Sequence, residues 1–168
     1  MRETPISLKG AMPYIRLYKG KTFVVKVGGA VLAKRGALEA LAAQVGLLSQ
    51  LGIRIVLVHG GGEQASELSR RLGAEPVIVA GRRGTDDGAL EVAKMVYGGS
   101  LNVEVVAALR AQETSAVGLS GVDAGLLTAR RRPLARVAPG PGEEPIEVDF
   151  GHVGDIVKVE PAVIERLL

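Results

Sequence analysis

Two stretches of this chain share one grammar: a near-continuous apolar run, a cluster of glycines, then a helical pattern. Residues 22–27 read TFVVKV and are followed by Gly28 and Gly29, while residues 53–58 read IRIVLV and are followed by His59, Gly60, Gly61 and Gly62. A run that is apolar at nearly every position, not every second one, predicts a strand covered on both faces. After the first turn, Leu38, Leu41, Ala42, Val45, Leu48 and Leu51 fall at helical spacing. Strand, turn, helix, strand in that order predicts a crossover onto a parallel neighbour. The predicted fold class is therefore α/β, a mostly parallel sheet with helices on both faces.

The remaining chain is read the same way. Gly52 and Gly73 close the helices predicted over 38–51 and 63–72 as left-handed caps. Residues 77–80 predict a short third strand that leads into the polar loop 81–87. Residues 89–111 predict a helix interrupted near Gly98 and Gly99, with Asp86 or Asp87 as its cap. Residues 115–119 predict a fourth strand ending in a glycine-rich turn. Residues 130–145 hold three consecutive arginines and four prolines, which predicts an exposed excursion without chemistry. Residues 146–150 and 153–159 predict a β-hairpin near the C-terminus, and Pro161 opens a helix. Ahead of the first core strand, an apolar pattern over 5–18, broken by Gly10 and Pro13, predicts a helical arm. Residues 1–20 are thus expected as the arm and 21–168 as one lobe.

Composition bounds the function. With 168 residues, 47% of them hydrophobic and 23% charged, the chain can bury a single sizeable core. No apolar run approaches the roughly 18–20 residues of a membrane span, and the first 25 residues lack the order of a secretory signal, so a soluble, cytosolic protein without a membrane partner is expected. The chain has no cysteine and two histidines, which leaves no disulfide framework and argues against a dedicated transition-metal site. A net charge of +3 with five aromatic side chains, three Tyr and two Phe, makes nucleic acid an unexpected partner.

Both glycine turns hand a strand over to a helix at the same edge of the sheet, so both are expected to face one crevice. Glycine lets an anion approach the backbone, and free amides at a helix start offer hydrogen bonds and the positive end of a dipole. Such turns cradle phosphates. Lys26, two residues before the first pair, is the cation expected to neutralise a transferring phosphoryl group; an ammonium in an otherwise apolar strand needs a reason. His59 reads as a hydrogen-bonded turn residue. A carboxylate acceptor is already ionised at neutral pH and needs no general base. Gly20, Lys21 and Thr22 mimic the end of a P-loop, but position 15 is Ile and the segment precedes a strand. Gly60–Ala65 fits the dinucleotide fingerprint with a final alanine, yet the next strand leads to Arg82 and Arg83 where an acidic residue would grip a ribose diol. Only a phosphorylated dinucleotide suits that pair, and an NADP-binding module stays as an alternative. Arg83, after a strand, is placed to form a bidentate pair with a substrate carboxylate.

Taken together, KVGG at 26–29, VHGGG at 58–62, GRRGTD at 81–86, AVGLSGVD at 116–123 and FGHVGD at 150–155 resemble the N-acetylglutamate kinases of the amino-acid kinase family, from about Ala11 to the last residue. The resemblance implies an αβα sandwich in which Lys26 stabilises the phosphoryl group in transit. Gly28, Gly29, Gly60, Gly61 and Gly62 would bind phosphate, with Gly61 and Gly62 also meeting the acceptor. Arg83 would clamp the acceptor's distal carboxylate. It implies transfer of the γ-phosphoryl of ATP, accompanied by Mg²⁺, to N-acetyl-L-glutamate in arginine biosynthesis. It also implies a homo-oligomer, a dimer or, through the N-terminal arm, a hexamer. Family members continue into an Asn-rich motif and an ATP-binding lobe; this sequence has a single asparagine, Asn102, so that C-terminal lobe is expected to be absent and the chain inactive alone. Gly84 stands where the family usually has valine, and Ser100 where it usually has lysine. Two other readings stay open: a non-catalytic module that binds an acylated amino acid, and a kinase for carrier-linked aminoadipate.

Overall fold

The computed structural model describes residues 8–75, 78–79, 82–140 and 142–168. Its centre is a parallel pair, β1 (Thr22–Val27) and β2 (Arg54–His59), in register from Thr22 opposite Arg54 to Val27 opposite His59. The crossover between them is α2 (Gly29–Leu32) followed by α3 (Ala37–Gln50). After β2 the chain turns directly into α4 (Gly62–Arg71). Gly52 and Gly73 adopt φ of 81° and 79°, the left-handed geometry that lets each helix stop and the chain reverse.

The long helical stretch that follows is broken as its glycines suggest. It comprises α5 (Asp87–Ala93), a π-helical segment Lys94–Ser100 and α6 (Leu101–Ala111). Gly99 departs from helical geometry, at φ −100° and ψ −109°. The Asp86 carboxylate accepts from the Ala89 amide at 2.8 Å and starts α5. By length and composition Asp87–Ala111 would suit a membrane span; Val92, Val96, Leu101, Val105 and Leu109 lie buried in the core, so one face of the stretch packs inside the protein.

That core joins these helices to Val27, Leu32, Ala42, Val45 and Ala65, with Ile55 and Leu57 packed against it. Phe23, Val25 and Val27 share one face of β1 because strand side chains alternate, and it is this face that meets the helices. The opposite face carries Thr22, Val24 and Lys26, all exposed. Val24 is 69% and Val58 46% exposed, so the cover on both faces expected from the apolar runs is missing over these positions. Lys26 is consequently a surface cation, not a buried one.

The second half of the chain is built from antiparallel pairs. β3 (Ile78–Val79) pairs with β4 (Arg82–Arg83), β5 (Leu127–Arg131) with β8 (Gly154–Val159), and β6 (Ala135–Val137) with β7 (Ile146–Val148). A hairpin near the C-terminus is therefore present, but its strands are β6 and β7; residues 146–150 and 153–159 do not pair with each other. The excursion 130–145 contains β6. Residues 115–119 carry no assigned strand. The third-strand prediction over 77–80 is described only at Ile78 and Val79. At the ends, α1 (Leu8–Tyr18) runs through Gly10 and Pro13, and α7 (Ala162–Glu165) follows Pro161. Tyr18 stacks edge-on against Phe23 with ring centroids 5.3 Å apart.

Candidate functional site

The register of β1 and β2 brings the two glycine turns side by side. The Gly60 amide donates to the Val27 carbonyl at 2.9 Å, continuing the ladder into the turn itself. A methyl group on Gly29 would lie 3.0 Å from the Gly61 Cα and 3.1 Å from the Gly62 nitrogen. The backbones of the two turns thus touch where any side chain would separate them. The Gln64 amide donates to the Gly29 carbonyl at 3.1 Å and ties the second helix to the first turn. Gly28 and Gly62, by contrast, have nothing within 4 Å of an added Cβ, so space opens beside each.

Neither α2 nor α4 has a side-chain cap at its start. First-turn amides of a helix have no intrahelical acceptor, and the ten-residue α4 adds the positive end of its dipole. An anion seated beside Gly28 and Gly62 would meet this field. Two buried polar atoms next to the turns, His59 Nδ1 and Gln64 Oε1, have no hydrogen-bond partner among the described residues. Such atoms usually pair with protein or water, and their position beside the glycines marks the cradle as polar.

The walls of the cradle come from a place the sequence did not single out. A methyl on Gly61 would lie 2.8 Å from the Tyr97 ring and 2.9 Å from Leu101 Cδ2. Tyr97 lies just ahead of the kink at Gly99, where the helical stretch departs from regular geometry. Gly61 is needed for closeness, since its φ of −165° is extended backbone open to any residue. Lys26 precedes Val27 by one residue and is paired in register with Val58. It stands on the open face, with no ion-pair partner among the described residues.

The Arg83 loop forms a separate feature. Its backbone pairs in β4, and the Arg83 side chain lies outside the described residues. Two residues on, Thr85 forms a parallel bridge with Gly151. The Thr85 amide donates to the Phe150 carbonyl at 2.9 Å, and the His152 amide to the Thr85 carbonyl at 2.7 Å. A cleft of about 690 Å³ runs along α4 past Gly62 and Gln64. Another, of about 920 Å³, is bounded by Thr85, Asp87, Phe150 and His152.

Two carboxylates are held below their ordinary pKa. Asp149 accepts from the Gly151 amide at 2.8 Å and from the Arg131 guanidinium at 2.9 Å, and both favour its ionised form. Asp123 accepts from the Ser120 amide and hydroxyl and is lowered likewise. Both carboxylates close turns of motifs read in the sequence.

Comparison with known proteins gives one consistent picture. The model of the amino acid kinase family matches residues 21–168. The chain is 42% identical to the acetylglutamate kinase of Halorhodospira halophila over 99% of its length and 58% of that protein. It is 45% identical to the acetylglutamate kinase of Symbiobacterium thermophilum over 95% of its length and 53% of that protein. The chain spans about half the length of the curated relatives it matches. Among solved structures, N-acetylglutamate synthase from Neisseria gonorrhoeae, complexed with coenzyme A and N-acetyl-glutamate, superposes with a TM-score of 0.69 at 34% identity, over 95% of this chain and 34% of that one.

Proposed function

The chain belongs to the amino acid kinase family, and from that premise we propose that it forms the acceptor-binding part of an N-acetyl-L-glutamate kinase acting in arginine biosynthesis. The observation that carries this reading is the contact of the two glycine turns at Gly29, Gly61 and Gly62. It supports a phosphate cradle, because the backbones of two glycine turns, each leading into a helix, lie against one another where any side chain at Gly29 or Gly61 would part them.

In the proposed reaction an oxygen of the acceptor's side-chain carboxylate attacks the γ-phosphorus of ATP. The bond from that phosphorus to the bridging oxygen breaks, ADP leaves, and an acyl phosphate forms. No proton changes hands, because the carboxylate is ionised at neutral pH. Catalysis then rests on positioning and charge. Lys26 neutralises the phosphoryl group in transit, the amides of the turns at Gly28–Gly29 and Gly60–Gly62 hold its oxygens, and Arg83 grips the acceptor's other end. The exposure of Lys26 is compatible with this role, since a cation that must meet a ligand cannot be sealed in the core. The glycine backbone of the cradle suits phosphate oxygens, which supports ATP as the donor, and Mg²⁺ is read as arriving with the nucleotide. The protein is read as cytoplasmic. Met12, Tyr14 and Leu17 on α1, 36%, 66% and 60% exposed, support self-association through the arm, as a dimer or a hexamer.

The likeness to the gonococcal synthase favours one other reading, a module that binds an acylated amino acid without phosphorylating it. Calorimetric titration of the chain with N-acetyl-L-glutamate and N-acetyl-L-aminoadipate tests acceptor choice. Preferential binding of the first is expected, and equal binding or none refutes the choice. Fusion to the C-terminal remainder of the Halorhodospira relative, assayed by hydroxylamine trapping of acyl phosphate, separates kinase from module: hydroxamate formed with ATP supports the kinase, and its absence despite acceptor binding supports the module.

A further inference from the structure

The motif FGHVGD at 150–155 lies between β7 and β8 and runs into the start of β8. In the structure it grips the loop that follows Arg83 at three points. Two are the backbone hydrogen bonds between Thr85 and residues Phe150 and His152. The third is a side-chain contact, His152 Nε2 to Asp87 Oδ1 at 2.7 Å. Phe150 is 3% exposed and roots the grip in the protein. Gly151, at φ 70°, lies so close to Thr85 that an added Cβ would overlap its carbonyl. The Asp149 carboxylate holds the turn from behind through the Gly151 amide and Arg131.

We propose that His152 is a positioning residue for the acceptor site: by holding Asp87 it helps fix the backbone of the loop 84–87 that directly follows Arg83, the residue read above as the acceptor's clamp. This rests on the acceptor reading given above. The geometry argues for positioning over stability. The His152 side chain is 42% exposed and that of Asp87 99% exposed, and exposed pairs contribute little to folding. The Asp86 carboxylate is already engaged as the cap of α5, so Asp87 is the acidic side chain left to link the start of this helix to the grip. Glu75, Asp86, Glu91, Arg131 and Asp149 are the other charged groups bordering the same cleft.

The test is calorimetric titration of N-acetyl-L-glutamate into the parent chain, His152→Ala, His152→Gln, Arg83→Lys and the double variant His152→Ala/Arg83→Lys. His152→Ala is expected to weaken binding about tenfold, because small misplacements of a clamping group are costly, while the thermal midpoint stays within about 2 °C. Glutamine keeps an N–H donor for Asp87 and is expected to restore most of the affinity. On the Arg83→Lys background the His152 substitution is expected to cost little more, since both act through one contact. Unchanged affinity in His152→Ala, a glutamine variant as weak as alanine, or full additivity with Arg83→Lys would each overturn the assignment. A parent chain that binds no N-acetyl-L-glutamate refutes the acceptor reading, and the assignment with it. That result is distinct from binding that ignores His152.

Discussion

Gly28 and Gly29 are neighbours in sequence, yet alanine should affect them in opposite ways. At Gly28, φ −77° and ψ 153° suit any residue, and an added Cβ meets nothing within 4 Å. Alanine there restricts the unfolded chain and should be neutral or stabilise by up to about 1 kcal/mol. At Gly29 the same methyl lies 2.9 Å from Gln64 Oε1, 3.0 Å from the Gly61 Cα and 3.1 Å from the Gly62 nitrogen. The glutamine can swing aside, but the two backbone atoms cannot without parting the turns. Overpacking of this kind costs about 1–3 kcal/mol, against about 0.4–1 kcal/mol returned by removing a glycine. At mid-range the net loss is then about 1.3 kcal/mol. Urea denaturation reads this directly: with a slope near 2 kcal/mol/M, the midpoint of Gly29→Ala should fall by about 0.5–1 M while that of Gly28→Ala holds or rises. Equal shifts in the two variants would refute the claim that the turns are in backbone contact.

Three further outcomes follow from the geometry. Asp86→Ala removes the cap on the Ala89 amide and should cost about 1 kcal/mol, read as a lower urea midpoint; an unchanged midpoint contradicts the cap. Lys26→Ala removes an exposed side chain with no ion-pair partner among the described residues, so stability should move by less than about 0.5 kcal/mol, whereas affinity for tripolyphosphate should drop at least about tenfold. Retained affinity would remove Lys26 from the site. Finally, because Asp149 and Asp123 are held below their ordinary pKa by hydrogen bonds made only in the folded state, their contribution is present above the unfolded value of about 3.9 and is lost as pH falls through the folded one. The urea midpoint should decline on the acid side below about pH 4, less steeply in Asp149→Asn; an identical decline would show that Asp149 takes no part.

Local signals made the first half of the fold legible. Residues 22–27 form β1 as read, because an apolar run bounded by Gly20 and Gly28 leaves few alternatives, and Gly52 and Gly73 are left-handed as their positions after helical patterns imply. The side-by-side turns follow from parallel pairing of consecutive strands. Burial was less legible. Apolar sequence alone does not reveal whether a second layer covers Val24 and Val58, so the both-face cover read from the run of β1 is missing there and Lys26 is exposed. Pairing in the second half was hidden because it is non-local: β5 reaches β8 across the inserted β6–β7 hairpin, and an Arg- and Pro-rich stretch gives no sign of β6. Gly98 and Gly99 signalled an interrupted helix. The approach of Tyr97 to Gly61 is a tertiary contact that local propensities do not encode, and a long aromatic beside a tight glycine was the one clue available.

The claim beneath all of this is that Gly29, Gly61 and Gly62 form one anion cradle. Nitrogen-15 NMR during titration with tripolyphosphate tests it most directly. The amides of these three glycines should shift together and saturate along one binding curve, with residues of the distant β6–β7 hairpin unmoved. Three unmoved glycine amides, or diffuse shifts spread over the arginine-bearing surface, would contradict it.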